Sequence, residues 1–492
     1  MAYSRFQKKP VRKALASFTA ALTALAPLAA NAQGISLLRD AEIEQYLEDY
    51  SYPIFEAAGL HPESIEILIV NDSSMNAFAG GRYMGINTGM ITFVESPNEL
   101  EAVIAHEAGH LKANHTTRGQ EAASNAGVPM LLGLVLAAGA IAAGAPDAGV
   151  GLLGLGQTVG TANYLKYSRS QESTADQLSI TFLDEVGHSS KGALDLWGRV
   201  RNYQIVTGQR LNPYLLTHPL ANTRLNALKT RTESSPYFDR KNSPEEMHRL
   251  HLIQAKIKGF LEDPNTVLRD YPLSDQSEPA HYARSVAYYR YSDIDKALKE
   301  VRTLTEAHPE NPYYTELEGQ ILFEYGRTDE AIDPHRKSVE LAPNNALFRI
   351  NLGRALLANG SPAHLRQAEA ELKRATALER DNSFAWFELA RVYGAQGNEA
   401  LANLATAESK FHAGDKAAAN QFARRAMGMG IARSTPEWRQ AADIILATQP
   451  AEGAPPLPSG VEDSEPKPLP QPEETSKTPD VPDPVIVDGG AD

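Results

Sequence analysis

His106, Glu107 and His110 are the residues of this 492-residue chain whose types and spacing point most directly to chemistry. Residues four apart on an α-helix differ by about 40° in azimuth, so His106 and His110 project from one face and can place two imidazole nitrogens on one metal ion. Glu107 lies beside them, where its carboxylate can hold and deprotonate a water that the ion has made acidic. A pair of surface histidines is the plain alternative. Val103, Ile104, Ala108, Gly109 and Leu111 argue against it, because an uncharged helix is a buried one; Lys112 is less apolar than that setting prefers.

A catalytic zinc site carries three protein ligands and an open position. Glu172 is the best third ligand. It opens Glu172-Ser173-Thr174-Ala175-Asp176 on a separate helix, with Asp176 one turn on, where a carboxylate can orient a ligating histidine through its other ring nitrogen. Without the first motif the pair would read as a solvated acidic face. His218, in Thr217-His218-Pro219 with Arg224 following, has two functional readings and a structural one. It can stabilise the oxyanion of a tetrahedral intermediate, occupy the open zinc position and silence the enzyme until displaced, or simply hold a loop. His115 lies nine residues beyond His106 and points about 180° away on a continuous helix, which assigns it support rather than ligation.

The elements that must position these residues are legible around them. Ser96 can cap a helix, Pro97 fits its first turn, and Glu99 sits where a capping-box carboxylate reaches back to the Ser96 amide; the helix should run to about His115. Ile43, Tyr46, Leu47, Tyr50 and Ile54 follow a helical period between Asp40 and Leu60, and Ile65 to Val70 reads as a strand. Gly80-Gly81 separates two extended stretches, Met75 to Ala79 and Tyr83 to Asn87, which look like antiparallel edge strands. Further helices are expected from Tyr164 to Val186, stopped by Gly187, from Leu194 to Ile205, and from Pro244 to Glu262 as a connection.

The second half repeats itself. Ser285, Gly319 and Gly353 recur at a period of 34 residues, as do Ala297 and Ala331, Pro309 and Pro343, and Gly326 and Gly360. That period and phasing match tetratricopeptide repeats. A fourth unit, displaced by a three-residue insertion around Ser361 to His364, carries Trp386, Leu389, Ala390, Tyr393, Gly397 and Ala402, and a half-repeat from Gly414 to Ala426 follows. After Gln449 the chain turns Pro-rich and acidic without aromatic residues, so it cannot bury a core and should be disordered.

The amino terminus has the composition of a secretory signal peptide: five basic residues up to Lys13, an alanine-rich stretch from Ala14 to Ala30 broken by Pro27, and Ala30-Asn31-Ala32 for cleavage. Cysteine is absent, which removes disulfides, thiol catalysis and a lipid-modified amino terminus, and suits a bacterial periplasm. Removing five positive charges from the formal −14 leaves −19. So acidic a chain is not a nucleic-acid binder.

Residues 40 to 230 resemble the secreted branch of the gluzincin family that includes the CAAX prenyl proteases. The resemblance rests on His106-Glu107-x-x-His110, His115, Glu172 with Asp176, the Asn76-Ala77-Phe78-Ala79 stretch and Thr217-His218-Pro219. It implies that His106, His110 and Glu172 bind one Zn2+ per chain and that Glu107 is the base. It also implies outer-membrane protein quality control in the periplasm, with stalled or unfolded outer-membrane proteins as clients and their assembly machinery as a partner of the repeats. The expected fold is α+β and mostly helical, a zincin-type metallopeptidase domain with a small edge-strand sheet followed by an all-α solenoid. Its divisions are a signal peptide (1–32), the peptidase domain (33–243), a connecting helix (244–276), the repeats (277–448) and an acidic tail (449–492).

Ala126 to Pro146 is uncharged and long enough to span a bilayer. A single span would put His106 and His110 on the opposite side from Glu172, and one ion cannot be shared across a membrane. The stretch 126–156 is therefore expected to form a lid or a peripheral membrane-facing plate, with a buried helix as the plain alternative. Clients are expected to pair as an extended strand with Tyr83 to Asn87. The competing function is a chaperone or adaptor acting through the repeats, its zinc centre silent or regulated.

Overall fold

Asp40 starts the first helix by accepting hydrogen bonds from the amides of Glu42 and Ile43, and the chain's apolar spacing then folds that helix, α1 (Ala41–Ala57), onto a sheet. In this computed structural model residues 36–115, 168–207, 218 and 222–449 are described. The expected signal peptide, the apolar insert 126–156 and the tail beyond Gln449 lie outside them. The chain divides into two compact units, Met1–Arg380 and Asp381–Asp492.

In the first unit the sheet contains β1 (Leu37–Leu38), β2 (Glu66–Val70), β3 (Ala77–Gly80) and β4 (Tyr83–Asn87), in the order β1-β2-β4-β3. β2 and β4 run parallel from Glu66↔Tyr83 to Val70↔Asn87, and β3 and β4 run antiparallel from Gly80↔Tyr83 to Ala77↔Ile86. The expectation that Tyr83 to Asn87 forms an edge strand for client pairing is therefore corrected. β4 is hydrogen-bonded on both sides, because β2 claims the side that a hairpin alone would leave open. The Phe78 ring lies across its partner Gly85, where a Cβ would come within 2.3 Å of it.

After α2 (Thr88–Phe93) comes α3 (Pro97–Lys112), the helix of the His-Glu-His set, which is buried along most of its length. Helical residues 168–185, called α4, end at Gly187, whose φ of +73° stops the helix where the sequence places the stop. α5 (Lys191–Thr207), α6 (Asn222–Glu233) and α7 (Pro244–Leu261) follow, and α7 begins with a full capping box between Ser243 and Glu246. One apolar core joins Tyr46 and Phe55 of α1, Met84 of β4, Ile104 of α3, Leu183 of α4 and Trp197 of α5. No helix among the described residues is long and apolar enough to cross a membrane.

α8 (Pro264–Asp270) leads into three helix pairs in the same unit: α9 (Glu278–Arg290) with α10 (Ile294–Ala307), α11 (Pro312–Glu324) with α12 (Thr328–Leu341), and α13 (Ala346–Asn359) with α14 (Pro362–Leu378). The small residues at the 34-residue period sit where the two helices of a pair touch. The Ser285 hydroxyl donates to the Ala297 carbonyl, a Cβ on Gly319 would meet the His335 ring at 2.7 Å, and one on Gly353 would meet Leu372 at 2.7 Å. The three-residue insertion appears as length, since α14 has 17 residues where α10 and α12 have 14. In the second unit, α15 (Ser383–Ala395), α16 (Glu399–His412), α17 (Lys416–Gly428) and α18 (Pro436–Ala447) continue in the same style, with Ala423, Ala441 and Ile444 in a small core.

Buried charge ties the repeats of the first unit to α1. Lys256 of α7, 3% exposed, places its ammonium 2.7 Å from Asp40 and 3.1 Å from Glu42, and the Tyr282 phenol of α9 donates to Glu42. Burial works against the charged lysine, but the two carboxylates outweigh it and raise its pKa.

His335, 1% exposed behind Gly319, is a second buried polar group. Burial, then the positive charge of Arg354, pushes its pKa down from 6.5 to about 3. The unfolded chain therefore takes up the proton first, and stability is complete above pH 6.5 and falls as pH drops from there toward 3. Between pH 7 and pH 5 this costs about 2 kcal/mol. Denaturant unfolding of wild type and His335→Gln at both pH values should show wild type losing about that much more than the variant. Equal losses would contradict the assignment.

Candidate metal centre

The Ser96 hydroxyl accepts from the Glu99 amide and starts α3 as expected, but the Glu99 carboxylate reaches the Glu95 amide at 2.8 Å instead of Ser96. Its second engagement explains the difference, because Arg199 of α5 holds the same oxygen at 2.8 Å. At the other end α3 stops at Lys112, short of His115, and Asn114 turns left-handed with φ +53°. The continuous helix assumed for His115 is thus corrected. This break sets His115 Nδ1 2.9 Å from His110 Nδ1.

The structure brings His106, His110, Glu172 and His218 together, with one donor atom from each all within 4.8 Å of one another. His110 Nε2 is 3.1 Å from His106 Nε2 and 3.4 Å from Glu172 Oε1; His218 Nδ1 is 3.0 Å from Glu172 Oε2 and 3.3 Å from His106 Nε2. Three of the four are buried and the His110 side chain is 11% exposed. Asp176 stands behind His106, its Oδ1 3.1 Å from His106 Nδ1. Glu107 is 1% exposed, and its Oε1 accepts no hydrogen bond from the described residues, lying 3.4 Å from His218 Nε2.

Arg224, to which the sequence reading gave no role, braces both acids of α4. Its guanidinium donates to the two Asp176 oxygens at 2.6 and 2.9 Å, lies 3.1 Å from Glu172 Oε2, and stacks over the Trp197 ring at 5.7 Å. The sequence offered only its position six residues after His218. Gly109 then sets how closely the two motifs approach: a Cβ there would stand 3.0 Å from both the Cα and the carbonyl oxygen of Ala175.

The electrostatics favour a cation at this point. Burial opposes charge on His106, yet hydrogen bonds to Asp176 and Glu172 outweigh it and raise its pKa to about 10. His110, buried beside that positive ring, is pushed down to about 2. Burial also raises Glu172 and Asp176, but His106 with His218 and Arg224 respectively more than reverse this and hold both below the usual carboxylate range. Glu107 is raised, chiefly by burial. Converging imidazole nitrogens and a carboxylate, which together draw positive charge into a buried pocket, form a donor set that fits a zinc ion.

Known proteins agree with this chemistry. Residues 37–232 match Peptidase family M48. The chain is 25% identical to the beta-barrel assembly-enhancing protease of Escherichia coli K12 over 388 residues, which cover 77% of each protein. It is 30% identical over 178 residues to the mitochondrial metalloendopeptidase OMA1 of Arabidopsis thaliana, covering 35% of this chain and 33% of that one. It is also 27% identical over 174 residues to Metalloprotease YcaL of Escherichia coli K12, covering 35% of this chain and 63% of that protein.

The Gly109 contact yields a prediction about geometry. Gly109→Ala gains up to about 1 kcal/mol of helix propensity, whereas overpacking against a backbone costs about 1–3 kcal/mol. Net destabilisation and weaker zinc binding are expected, read by thermal melts and chelator competition. Unchanged zinc affinity would show that the α3–α4 spacing does not set the donor geometry.

Proposed function

We propose that this chain, a zinc metallopeptidase by virtue of its Peptidase family M48 domain, holds one zinc ion through His106, His110 and Glu172 and cleaves peptide bonds with Glu107 as base. The observation that carries the reading is the convergence of those three donors beside a buried carboxylate oxygen that accepts no hydrogen bond from the described residues. Zinc bound there supplies Lewis acidity to the scissile carbonyl and to the attacking water. Glu107 takes the proton from that water and hands it to the leaving amide nitrogen. Asp176 keeps His106 in the tautomer that presents Nε2, and Arg224 holds Asp176 and Glu172 in register while compensating their charge.

Of the two functional readings of His218, its position favours the blocking one. Its Nδ1 lies among the other donors and its Nε2 faces Glu107, so the ring stands where water and substrate would enter. A peptidase closed in this way acts when the His218 side chain is displaced. The same observation keeps the second reading in view, in which the repeats act as a chaperone or adaptor while the zinc centre is silent.

We place the protein in the bacterial periplasm and infer that it degrades misfolded or stalled outer-membrane proteins and assists their assembly. Similarity along 77% of a beta-barrel assembly-enhancing protease supports this, as do the leader-like amino terminus and helical repeats suited to displaying or docking a polypeptide.

Casein cleavage and metal content test the assignments together. Glu107→Gln should retain one zinc per chain and lose about 10²–10⁴-fold in rate; persistent cleavage would remove Glu107 as base. His218→Ala should raise the rate several-fold at unchanged zinc content, and a large loss would instead assign His218 to the oxyanion. Rescue of envelope defects by Glu107→Gln would establish a binding role independent of cleavage.

A further inference from the structure

We infer that His115 is a positioning residue for the metal centre, accepting a hydrogen bond from His110 Nδ1–H and so fixing the ring that presents Nε2 to zinc. This rests on the reading of His110 as a ligand. The two histidines of the motif need the same service, because a ring that binds metal through Nε2 must carry its proton on Nδ1 and give it to an acceptor. For His106 that acceptor is the Asp176 carboxylate at 3.1 Å. For His110 the described partner is His115 Nδ1 at 2.9 Å, with the two rings at 72° and their centroids 5.0 Å apart. His110 Nδ1 is the donor, so His115 Nδ1 is the bare nitrogen and its own proton resides on Nε2.

The backbone is built to make this contact. On an unbroken helix His115 would face away from His110. The left-handed residue Asn114, at φ +53°, breaks the helix immediately after α3, and asparagine is among the few side chains that tolerate that region. The Asn114 amide closes the turn on the Leu111 carbonyl at 3.0 Å. The His115 carbonyl then accepts from the Gln171 side chain at 3.0 Å, and Gln171 immediately precedes Glu172 on α4. His115 is 8% exposed, its ring against His110 of α3 and its carbonyl held by Gln171 of α4. One short turn thereby links the orientation of His110 to the helix that carries the carboxylate donor.

Zinc dissociation constants of the full chain, measured by competition with a chromophoric chelator, test the assignment. His115→Phe keeps the ring and removes the acceptor; it should weaken zinc binding about 10–100-fold. His115→Asn puts an amide oxygen at the position of Nδ1 and should recover most of that loss. Wild-type affinity in His115→Phe, or equal weakening in both variants, would overturn the proposal. A second measurement requires no substitution: nitrogen-15 histidine NMR of the zinc-loaded wild type should show a proton on His110 Nδ1 and none on His115 Nδ1, and a protonated His115 Nδ1 would overturn it as well. Failure of the underlying ligand reading looks different, since zinc affinity would then survive His110→Phe.

Discussion

The peptidase centre depends on how closely α3 and α4 approach at Gly109 and Ala175. The helices are separated by more than fifty residues of sequence, and the proposed ligation requires donors from both to reach one ion at bonds of about 2.0–2.2 Å. With so little tolerance, the helix separation has to be set by backbone contact and not by side chains that could adjust. Gly109 provides this, since even a methyl group there would press on the Ala175 main chain. It lies between His106 and His110 along α3, and Ala175 lies between Glu172 and Asp176 along α4, so the contact is at the level of the donors.

Close approach brings like charges together, and the surrounding residues answer that cost. Glu107, Glu172 and Asp176 are all at most 4% exposed. Arg224 engages two of them, with its guanidinium over the Trp197 ring. Buried carboxylates with a single arginine still favour a cation, which makes the site's affinity for a divalent metal an expression of its own electrostatics. The same rule operates away from the centre, where Lys256 compensates Asp40 and Glu42 beneath the first repeat. In both places a cation from another element meets two carboxylates.

Local signals were legible in the sequence, and contacts made at long range were not. The cap at Ser96, the stop at Gly187 and the 34-residue phasing are encoded within a few residues of where they act, and each helix they mark is present. The convergence of His106, His110 and Glu172 was readable because two-motif metal sites constrain residue type strongly, whereas the sequence left the place of His218 open between two functional roles and a structural one. The place of β4 inside the sheet was not readable, since alternation does not say which strand pairs on which side. Arg224 carried no signal because its partners lie forty-eight and fifty-two residues away. His115 was misplaced for a single reason: the helical period was carried through Asn114, where one left-handed residue ends it.

The most direct test of the account is the position of the metal itself. Anomalous difference density collected at the zinc edge from crystals of the full chain should show one peak per chain, within bonding distance of His106 Nε2, His110 Nε2 and a Glu172 carboxylate oxygen. A peak elsewhere, or a peak bonded to only one of the two α3 histidines, would contradict it.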